Sequence, residues 1–476
     1  MNEIDASIAR RHDFDYPDYR HAFSEFIGIG EDGHLRVEGR DCVELAETFG
    51  TPLYVMSENQ LRHNYRRFRD AFEAEYPKVE ILFANKSNNG LAIRRIMNDE
   101  GAGGDCFGYN ETYIALLAGA DPRKMALNGS NKDAREIELA VANGICINID
   151  ANDELDIINV TARRLGRQAQ VGVRVKLVLE ELKERHSTGV HHGSMAEIVW
   201  AEKWGMPYDQ AVALVRRVEA LPHLEMRELH FHLSRLDNQA RDFATVAREM
   251  VVWSARLRDD TGWTAPCIDL GGGWAFGRKE KTGPRGGIDD ERVSTFEQYA
   301  REVCAAVREA CAKLDFPLPK LRIEPGRSIS GKAGIAIGRV GAVKAWPEKD
   351  HKWVNVDLSG NHVPWITIPH HYHIVPVNKA DTGATETVDI VGPLCTHDIL
   401  GRSRDMPDLV RGDLLALLDT GCYAESQSAN FNAQCRPATV LVSGTQADVI
   451  TERERLDDVM GRFRVPPRLL EAALPE

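Results

Sequence analysis

Short apolar runs alternate with helix-like segments eight times between residues 79 and 326, and this alternation limits the possible folds more than any other feature. The runs have the length of buried strands. They are "VEILFAN" (79–85), "GAGGDCF" (101–107), "KMALNG" (124–129), "ICINID" (145–150), "VGVRVKL" (171–177), "RELHFHL" (227–233), "CIDLGGG" (267–273) and "LRIEPG" (321–326). Eight strand–helix units predict an α/β fold, a (β/α)8 TIM barrel over residues 51–328. A doubly wound open sheet is the alternative.

The segments between these runs have helical spacing. In "SENQLRHNYRRFRDAFEAEY" the apolar or aromatic side chains fall at Leu61, Tyr65, Phe68 and Phe72. Ser57 stands where a helix cap is expected. Longer helices are predicted over 208–220, 238–259 and 293–313.

The pattern changes after about residue 330. β-rich runs such as "IAIGRVGAVKAW", "KWVNVDL" and "ATVLVSG" are separated by Gly, Pro and Asp turns, and helical periodicity nearly vanishes. We therefore expect a second, mostly β domain over residues 329–476. Residues 1–50 contain a strand-like piece, "HLRVEG", and are expected to join that domain.

Net charge and cysteine content limit the expected partners and cellular location of the protein. The chain has 476 residues and a formal net charge of −13, which disfavours nucleic acid and anionic membranes as partners. Its nine cysteines form no CxxC pair, which is typical of reduced intracellular thiols. No apolar signal-peptide core and no run of membrane-spanning length is found. We expect a cytoplasmic protein.

Polar residues follow several of the predicted strands, and chemistry in such barrels lies at the carboxyl ends of the strands. In chain order these residues are Lys86, Asp105, Asn128, His230, His232, Gly271, Gly272, Gly273, Glu324, Gly326 and Arg327. A lysine can form an imine with an aldehyde, and a carboxylate can keep a pyridine nitrogen protonated. A glycine loop and an arginine can bind phosphate, and a flat ring can stack on another ring. Together these groups predict a pyridoxal phosphate site.

Each group also has a purely structural interpretation. The glycine triplet can be a flexible turn, Glu324 can pair with Arg327 at the rim, and one of the two histidines can be a core residue. A metal site is a further alternative for the histidines. The sequence has no HExxH motif or fixed ligand spacing, so we predict no metal.

Seven motifs, in order, resemble those of the fold-type III pyridoxal phosphate decarboxylases, the diaminopimelate, ornithine and arginine decarboxylase group. They are "FANKSN", "GAGGDCFGYNE", "HFHLSR", "DLGGGWAF", "EPGRSI", "GPLCTHDIL" and "GCYAESQSANFN". The resemblance implies an alanine racemase-like fold, pyridoxal 5'-phosphate as cofactor and an amino-acid substrate that loses carbon dioxide. It implies cofactor contacts for Lys86, Asp105, His232, Gly271, Gly272, Gly273, Glu324, Gly326, Arg327 and Tyr423.

The same resemblance implies a role in the reaction for four residues. Lys86 holds the cofactor, His232 stacks on it, Glu324 faces the pyridine nitrogen and Cys395 is the proton donor. In this family the cysteine segment reaches into the neighbouring subunit, which implies a homodimer with shared active sites.

Several positions depart from the family pattern. Ser234 and Arg235 replace a Gly-Ser pair, and Thr396 and His397 follow the cysteine where an acidic residue is usual. We expect Arg235, Thr396, His397 and Asp398 to contact the substrate, which need not be diaminopimelate; Arg235 can instead pair with Asp237.

Other functions stay open at this point. A siderophore-type or other specialised decarboxylase would act on a carboxylate-rich conjugate. A racemase would usually place an arginine, not Glu324, against the pyridine nitrogen. A non-catalytic regulator and a metal-dependent hydrolase are the remaining alternatives.

Overall fold

A small three-stranded sheet is the first part of the chain that the structure describes. The computed structural model describes residues 23–179, 199–233, 239–274, 294–364 and 372–469. The first elements are β1 (Ile27–Ile29), β2 (Leu35–Val37), β3 (Arg40–Asp41), α1 (Cys42–Phe49) and β4 (Leu53–Ser57). Leu35 and Leu45 pack in one buried cluster with Ile335 and Val375. The described part of the N-terminal segment therefore packs on C-terminal strands.

Eight parallel strands close into a barrel. They are β5 (Val79–Ala84), β6 (Gly103–Phe107), β7 (Met125–Asn128), β8 (Cys146–Ile149), β9 (Ala169–Arg174), β10 (Leu224–His230), β11 (Cys267–Asp269) and β12 (Lys320–Ile323). β12 pairs with β5 and completes the circle. The predicted (β/α)8 barrel is confirmed, and each apolar run overlaps one strand. Several runs continue past their strand, so His232, Gly271 and Glu324 lie in loops at the carboxyl ends.

Helices surround the barrel and bury one face each. They are α2 (Glu58–Glu75), α3 (Leu91–Asp99), α4 (Gly108–Leu117), α5 (Ala134–Asn143), α6 (Glu154–Leu165), α7 (Tyr208–Glu219), α8 (Ala240–Thr261) and α9 (Phe296–Lys313). In α2 the side chains of Leu61, Tyr65, Phe68 and Phe72 are buried, as their spacing predicts, and Ser57 caps the helix. Within the described ranges, we find no helix whose length and apolar content would let it cross a membrane.

A mostly β domain follows the barrel. Its elements are α10 (Arg327–Ser330), β13 (Gly334–Trp346), β14 (His351–Val356), β15 (Ile374–Pro376), β16 (Glu386–Val391), β17 (Ile399–Met406), β18 (Leu414–Leu417), β19 (Ala438–Ser443), β20 (Gln446–Thr451) and α11 (Leu456–Met460). The large sheet runs β17-β16-β14-β13-β4-β19-β20, and β18 pairs with β13 and β15. Short 3-10 turns lie at Asn85–Ser87, Pro122–Lys124, Gly331–Ala333, Pro347–Lys349, Glu425–Gln427, Phe431–Ala433 and Pro467–Leu469.

The strand β4 lies in this second sheet. It is antiparallel to β13 and parallel to β19. The expected barrel range of 51–328 included β4. That boundary is too early, because both edges of the strand are paired in the β domain and the first barrel strand is β5.

Contacts from the β domain hold the turn that follows β5. The Tyr423 N–H donates to the Ser87 carbonyl at 2.7 Å. The Ser426 hydroxyl donates to the Lys86 carbonyl at 3.0 Å. The backbone that carries Lys86 is therefore fixed from both domains.

A buried ion-pair network joins three barrel strands. Arg322 of β12 donates from Nε to Glu80 of β5 and from Nη1 to Glu228 of β10, both at 2.8 Å. Only 8% of the Arg322 side chain and 1% of the Glu228 side chain are exposed.

We expect Arg322→Met to lower the free energy of unfolding by about 3–5 kcal/mol, because Glu228 would remain buried without its partner. Urea unfolding measures the change. Arg95→Ala removes an exposed pair with Asp99, whose arginine is 67% exposed, and should cost no more than about 1 kcal/mol. Similar losses in the two variants would contradict the prediction.

Candidate active site

Lys86 lies at the mouth of the barrel, on the 3-10 turn directly after β5. Its Nζ donates to the Asp105 carboxylate and lies 4.8 Å from the centre of the Phe107 ring. Burial acts to lower the pKa of Lys86, but the attraction of Asp105 and Glu324 outweighs it and raises the pKa. The side chain is therefore held as an ammonium between carboxylates.

Asn128, at the end of β7, connects the two buried carboxylates. Its Nδ2 donates to Asp105 Oδ1 and to Glu324 Oε1, each at 2.7 Å. Its own Oδ1 accepts from Asn148 Nδ2 at 2.9 Å. All four side chains are buried, so the amide fixes the two acids at the centre of the barrel mouth.

Glu324 is held in its ionised form by the groups around it. His230 Nε2 lies 3.5 Å from Glu324 Oε2. Burial would raise the pKa of Glu324, but His230 and Lys86 outweigh that effect and lower it. Asp105 differs, since burial and repulsion from Glu324 raise its pKa. A buried carboxylate that stays ionised can hold a proton on a neighbouring ring nitrogen.

The ring of His232 is fixed against the loop after β11. Its Nδ1 accepts the Gly272 N–H at 2.9 Å, so the neutral ring carries its proton on Nε2. Burial and the positive charges of Lys86 and Arg174 lower the pKa of His232 well below its usual value. The ring is therefore neutral at physiological pH and suited to stacking.

The three glycines after β11 leave no room for side chains. A Cβ at Gly272 would lie 2.8 Å from the Glu324 carbonyl oxygen and 2.9 Å from His232 Cε1. Gly271 and Gly273 have φ angles of 65° and 96°, in the left-handed region that favours glycine. The loop can lie this close to His232 only with glycine at these positions.

Arg327 lies beside Tyr423 with its guanidinium available to an anion. The Arg327 Cζ is 5.1 Å from the centre of the Tyr423 ring, and Nη1 is 3.8 Å from Cys422 Sγ. Within the described part of the chain, no ion pair joins Arg327 to a carboxylate, so the rim pair with Glu324 does not form there. Gly326 precedes it, and a Cβ there would lie 2.9 Å from Ser87 Cβ.

Three further predicted site residues belong to a loop of the β domain. Cys395, Thr396 and His397 are exposed between β16 and β17. No hydrogen bond or ion pair of the described residues joins them to Lys86 or Glu324. Their predicted contacts with substrate, like those of Arg235, stay predictions; Arg235, Ser234 and Asp237 lie outside the described residues.

Asp398 has a structural role in the same loop. Its Oδ1 accepts the Gly360 N–H at 2.7 Å, and its Oδ2 accepts the Leu394 N–H at 2.9 Å. The carboxylate is buried. It therefore shapes the segment that carries Cys395, and its predicted contact with substrate stays a prediction.

Comparison with known proteins identifies the family. The family model described as the pyridoxal binding domain of the pyridoxal-dependent decarboxylases matches residues 58–331. The chain belongs to the pyridoxal-dependent decarboxylases. It is an amino-acid decarboxylase that uses pyridoxal phosphate. The comparisons support this function over the racemase, regulator and hydrolase alternatives.

Similar proteins extend over nearly the whole chain. A diaminopimelate decarboxylase of Methanothermobacter thermautotrophicus is 30% identical, covering 94% of this chain and 99% of its own. One of Methanocaldococcus jannaschii is 32% identical, covering 92% and 97%. The crystal structure of diaminopimelate decarboxylase from M. jannaschii gives a TM-score of 0.82 at 30% identity, covering 94% and 99%. A second structure of that protein, in co-complex with L-lysine, gives the same TM-score.

The described residues of this decarboxylase fit the cofactor. Lys86 offers an amine for the aldehyde, and Glu324 an ionised carboxylate for the ring nitrogen. Arg327 offers a guanidinium to the phosphate. Each of these groups is at the carboxyl end of a barrel strand.

The structure brings three residues into this site to which the family motifs assign no role. Asn128, at the end of the third predicted strand, joins Asp105 to Glu324. His230 and Asp269 lie buried beside Glu324. Their positions follow from the pairing of β10 with β11 and from the closure of the barrel, neither of which a motif contains.

Glu111, on α4, is another acid close to Lys86. Its Oε2 accepts the Phe107 N–H at 2.8 Å. Burial raises its pKa to about 7, although the Phe107 hydrogen bond acts to lower it. The folded chain therefore holds a proton here that the unfolded chain releases near pH 4.5, so stability falls as the pH rises from about 4.5 to 7.

We expect Glu111→Gln to remove this loss of stability, because an amide does not ionise and still accepts the Phe107 hydrogen bond. The melting temperature should rise by a few degrees at pH 8 and change little at pH 5. Thermal unfolding at both pH values measures it, with Glu309→Gln on the exposed side of α9 as the control. An equal change at the two pH values would contradict the assignment.

Proposed function

We propose that this decarboxylase acts on diaminopimelate and releases carbon dioxide and L-lysine. The observation that carries the proposal is the end-to-end match to two diaminopimelate decarboxylases at 30% and 32% identity. L-Lysine, present in the solved structure of one such protein, is diaminopimelate without one carboxylate. A related amino acid with a different far end is the second candidate, because Thr396 and His397 depart from the family pattern after Cys395.

Bound pyridoxal phosphate supplies the electron sink for the electron pair left when the carboxylate departs. Lys86 would hold the cofactor through its amine and release it when the substrate amine takes its place. Glu324 would keep a proton on the ring nitrogen, and His232 would cover one ring face. Arg327 and Tyr423 would bind the phosphate, beside Gly271 to Gly273 and Gly326.

We also propose a homodimer in which Cys395 returns a proton to the α-carbon at the partner's site. Cys395 is exposed on the β domain, and its N–H donates to Asn432 at 3.2 Å. That position suits a group that serves a second subunit, since the cysteine is exposed and not packed in the buried core of its own subunit. Reduced thiols without a CxxC pair support the cytoplasm as its location.

Product analysis tests the substrate. The purified protein, loaded with pyridoxal phosphate, is incubated with the diaminopimelate stereoisomers, L-lysine, L-ornithine, L-arginine and citryl–diamine conjugates. We expect carbon dioxide and L-lysine in equal amounts from a diaminopimelate isomer. Turnover of another compound alone would overturn the diaminopimelate assignment.

Mixing two inactive variants tests the shared site. Lys86→Ala and Cys395→Ala subunits are co-expressed in equal amounts. If each site takes one residue from each subunit, random pairing gives one intact site in half of the dimers, and about one quarter of the wild-type activity returns. Absence of recovery in isolated mixed dimers would show that Cys395 does not serve the partner's site.

A further inference from the structure

His230 lies behind Glu324 at the end of β10 and is 1% exposed. Neither of its ring nitrogens makes a hydrogen bond within the described residues. The nearest carboxylate oxygen to its Nε2 is Glu324 Oε2, at 3.5 Å. A buried imidazole without a hydrogen bond is costly, which indicates a function for this position.

The pairing of the barrel strands sets what surrounds this ring. His230 is in register with Arg174 on one side and with Asp269 on the other. Donor or acceptor atoms of His230, Asp269 and Glu324 all lie within 4.8 Å of one another. The charged or titratable groups near the ring are thus Glu228 on its own strand, Arg174, Asp269, Glu324, Asp105, Lys86 and His232.

These groups shift the pKa values of two buried carboxylates, Asp269 and Glu324, in opposite directions. Asp269 accepts the Gly271 N–H at 2.8 Å through Oδ1, and its Oδ2 has no partner within the described residues. Burial, with repulsion from Glu324 and Glu228, raises the pKa of Asp269 well above its usual value. Glu324 is shifted the other way, with His230 as the strongest attraction. The negative charge of this cluster is therefore concentrated on Glu324.

We propose that His230 is a positioning residue for Glu324, and that it keeps this carboxylate ionised and oriented toward the ring nitrogen of the bound cofactor. The inference rests on the decarboxylase family and not on the identity of the substrate. Without His230, Glu324 would keep the Asn128 amide, but it would face Asp105 and Asp269 in a buried pocket. Protonated Glu324 could not hold the proton of the ring nitrogen.

The test compares His230→Phe with His230→Asn. Phenylalanine fills the space without a polar atom, whereas asparagine keeps a polar N–H group beside Glu324. His223→Asn, on the loop before β10, is the matched control. The first measurement is the visible absorption of the cofactor-loaded, substrate-free protein between pH 5 and 9, together with cofactor affinity by equilibrium dialysis. This measurement needs no substrate, so it is independent of the proposed function.

In His230→Phe we expect the spectral transition governed by Glu324 to move up by about one pH unit or more, because its carboxylate would ionise only at higher pH. With a substrate that turns over, kcat should fall about 10- to 100-fold, the range for groups that orient a functional residue from behind, with KM little changed. The acid limb of the kcat profile should move in the same direction. His230→Asn should recover part of each change.

A folded His230→Phe protein with the wild-type spectral transition would overturn the proposal. If that variant does not fold, a wild-type transition and kcat in His230→Asn together with loss of thermal stability would assign His230 a structural part only. A stoichiometric metal ion in the wild-type protein that is lost in His230→Asn would also overturn it, since the cluster would then be a metal site.

Discussion

Replacement of Lys86 by alanine is expected to lower kcat for carbon dioxide release at least about 1000-fold, the scale seen when a group that acts in every turnover is removed. Lys86 is the amine that the fold places on the turn after β5, with its Nζ at Asp105. The variant should also lose the visible absorption of the lysine-bound cofactor. Carbon dioxide release and an absorption spectrum measure the two effects.

Lys86→Arg is the control for charge. Arginine keeps a cation beside Asp105 and so keeps the electrostatic contact, but it does not offer a primary amine. We expect it to be folded, close to wild type in thermal stability, and as inactive as Lys86→Ala. Activity within tenfold of wild type in Lys86→Arg would show that the amine is not required.

Glu324→Gln is expected to lower kcat by about 100- to 10,000-fold, because a neutral amide cannot hold a proton on the ring nitrogen. The side chain is 1% exposed and accepts the Asn128 hydrogen bond at 2.7 Å. Glutamine has nearly the same volume, so the effect is one of charge rather than packing. Steady-state kinetics with separate kcat and KM values measure it.

Glu324→Asp is the matched control for this prediction. It keeps the charge but shortens the side chain, so it should recover part of the kcat that glutamine loses. If glutamine and aspartate were equally damaging, geometry and not charge would explain the loss. Wild-type kcat in Glu324→Gln would exclude the ring nitrogen as its target.

The barrel could be predicted from the sequence because its strands are buried on both faces. Such strands are continuous apolar runs, and the eight runs from "VEILFAN" to "LRIEPG" each overlap one. β4 could not be assigned this way. Its residues, "LYVMS", are all buried. A short apolar run predicts a buried strand, but it does not show with which other strands that strand pairs.

The sequence can single out candidate residues whose own side chains carry charge or nucleophilicity. Lys86, Glu324 and Arg327 are such residues, and the structure places each of them shortly after a barrel strand. Asn128 and His230 act through neighbours that are far away along the chain. Their parts depend on barrel closure and strand register, which local sequence does not contain.

The central place of β4 has a consequence for synthesis on the ribosome. Its two neighbours in the sheet, β13 and β19, begin at residues 334 and 438. At about 5–20 residues per second, the strand waits on the order of tens of seconds for the first of them. During that time β4, which is buried in the folded protein, is exposed to solvent. A truncated product that ends after the barrel would keep it uncovered, and we expect such a fragment to aggregate.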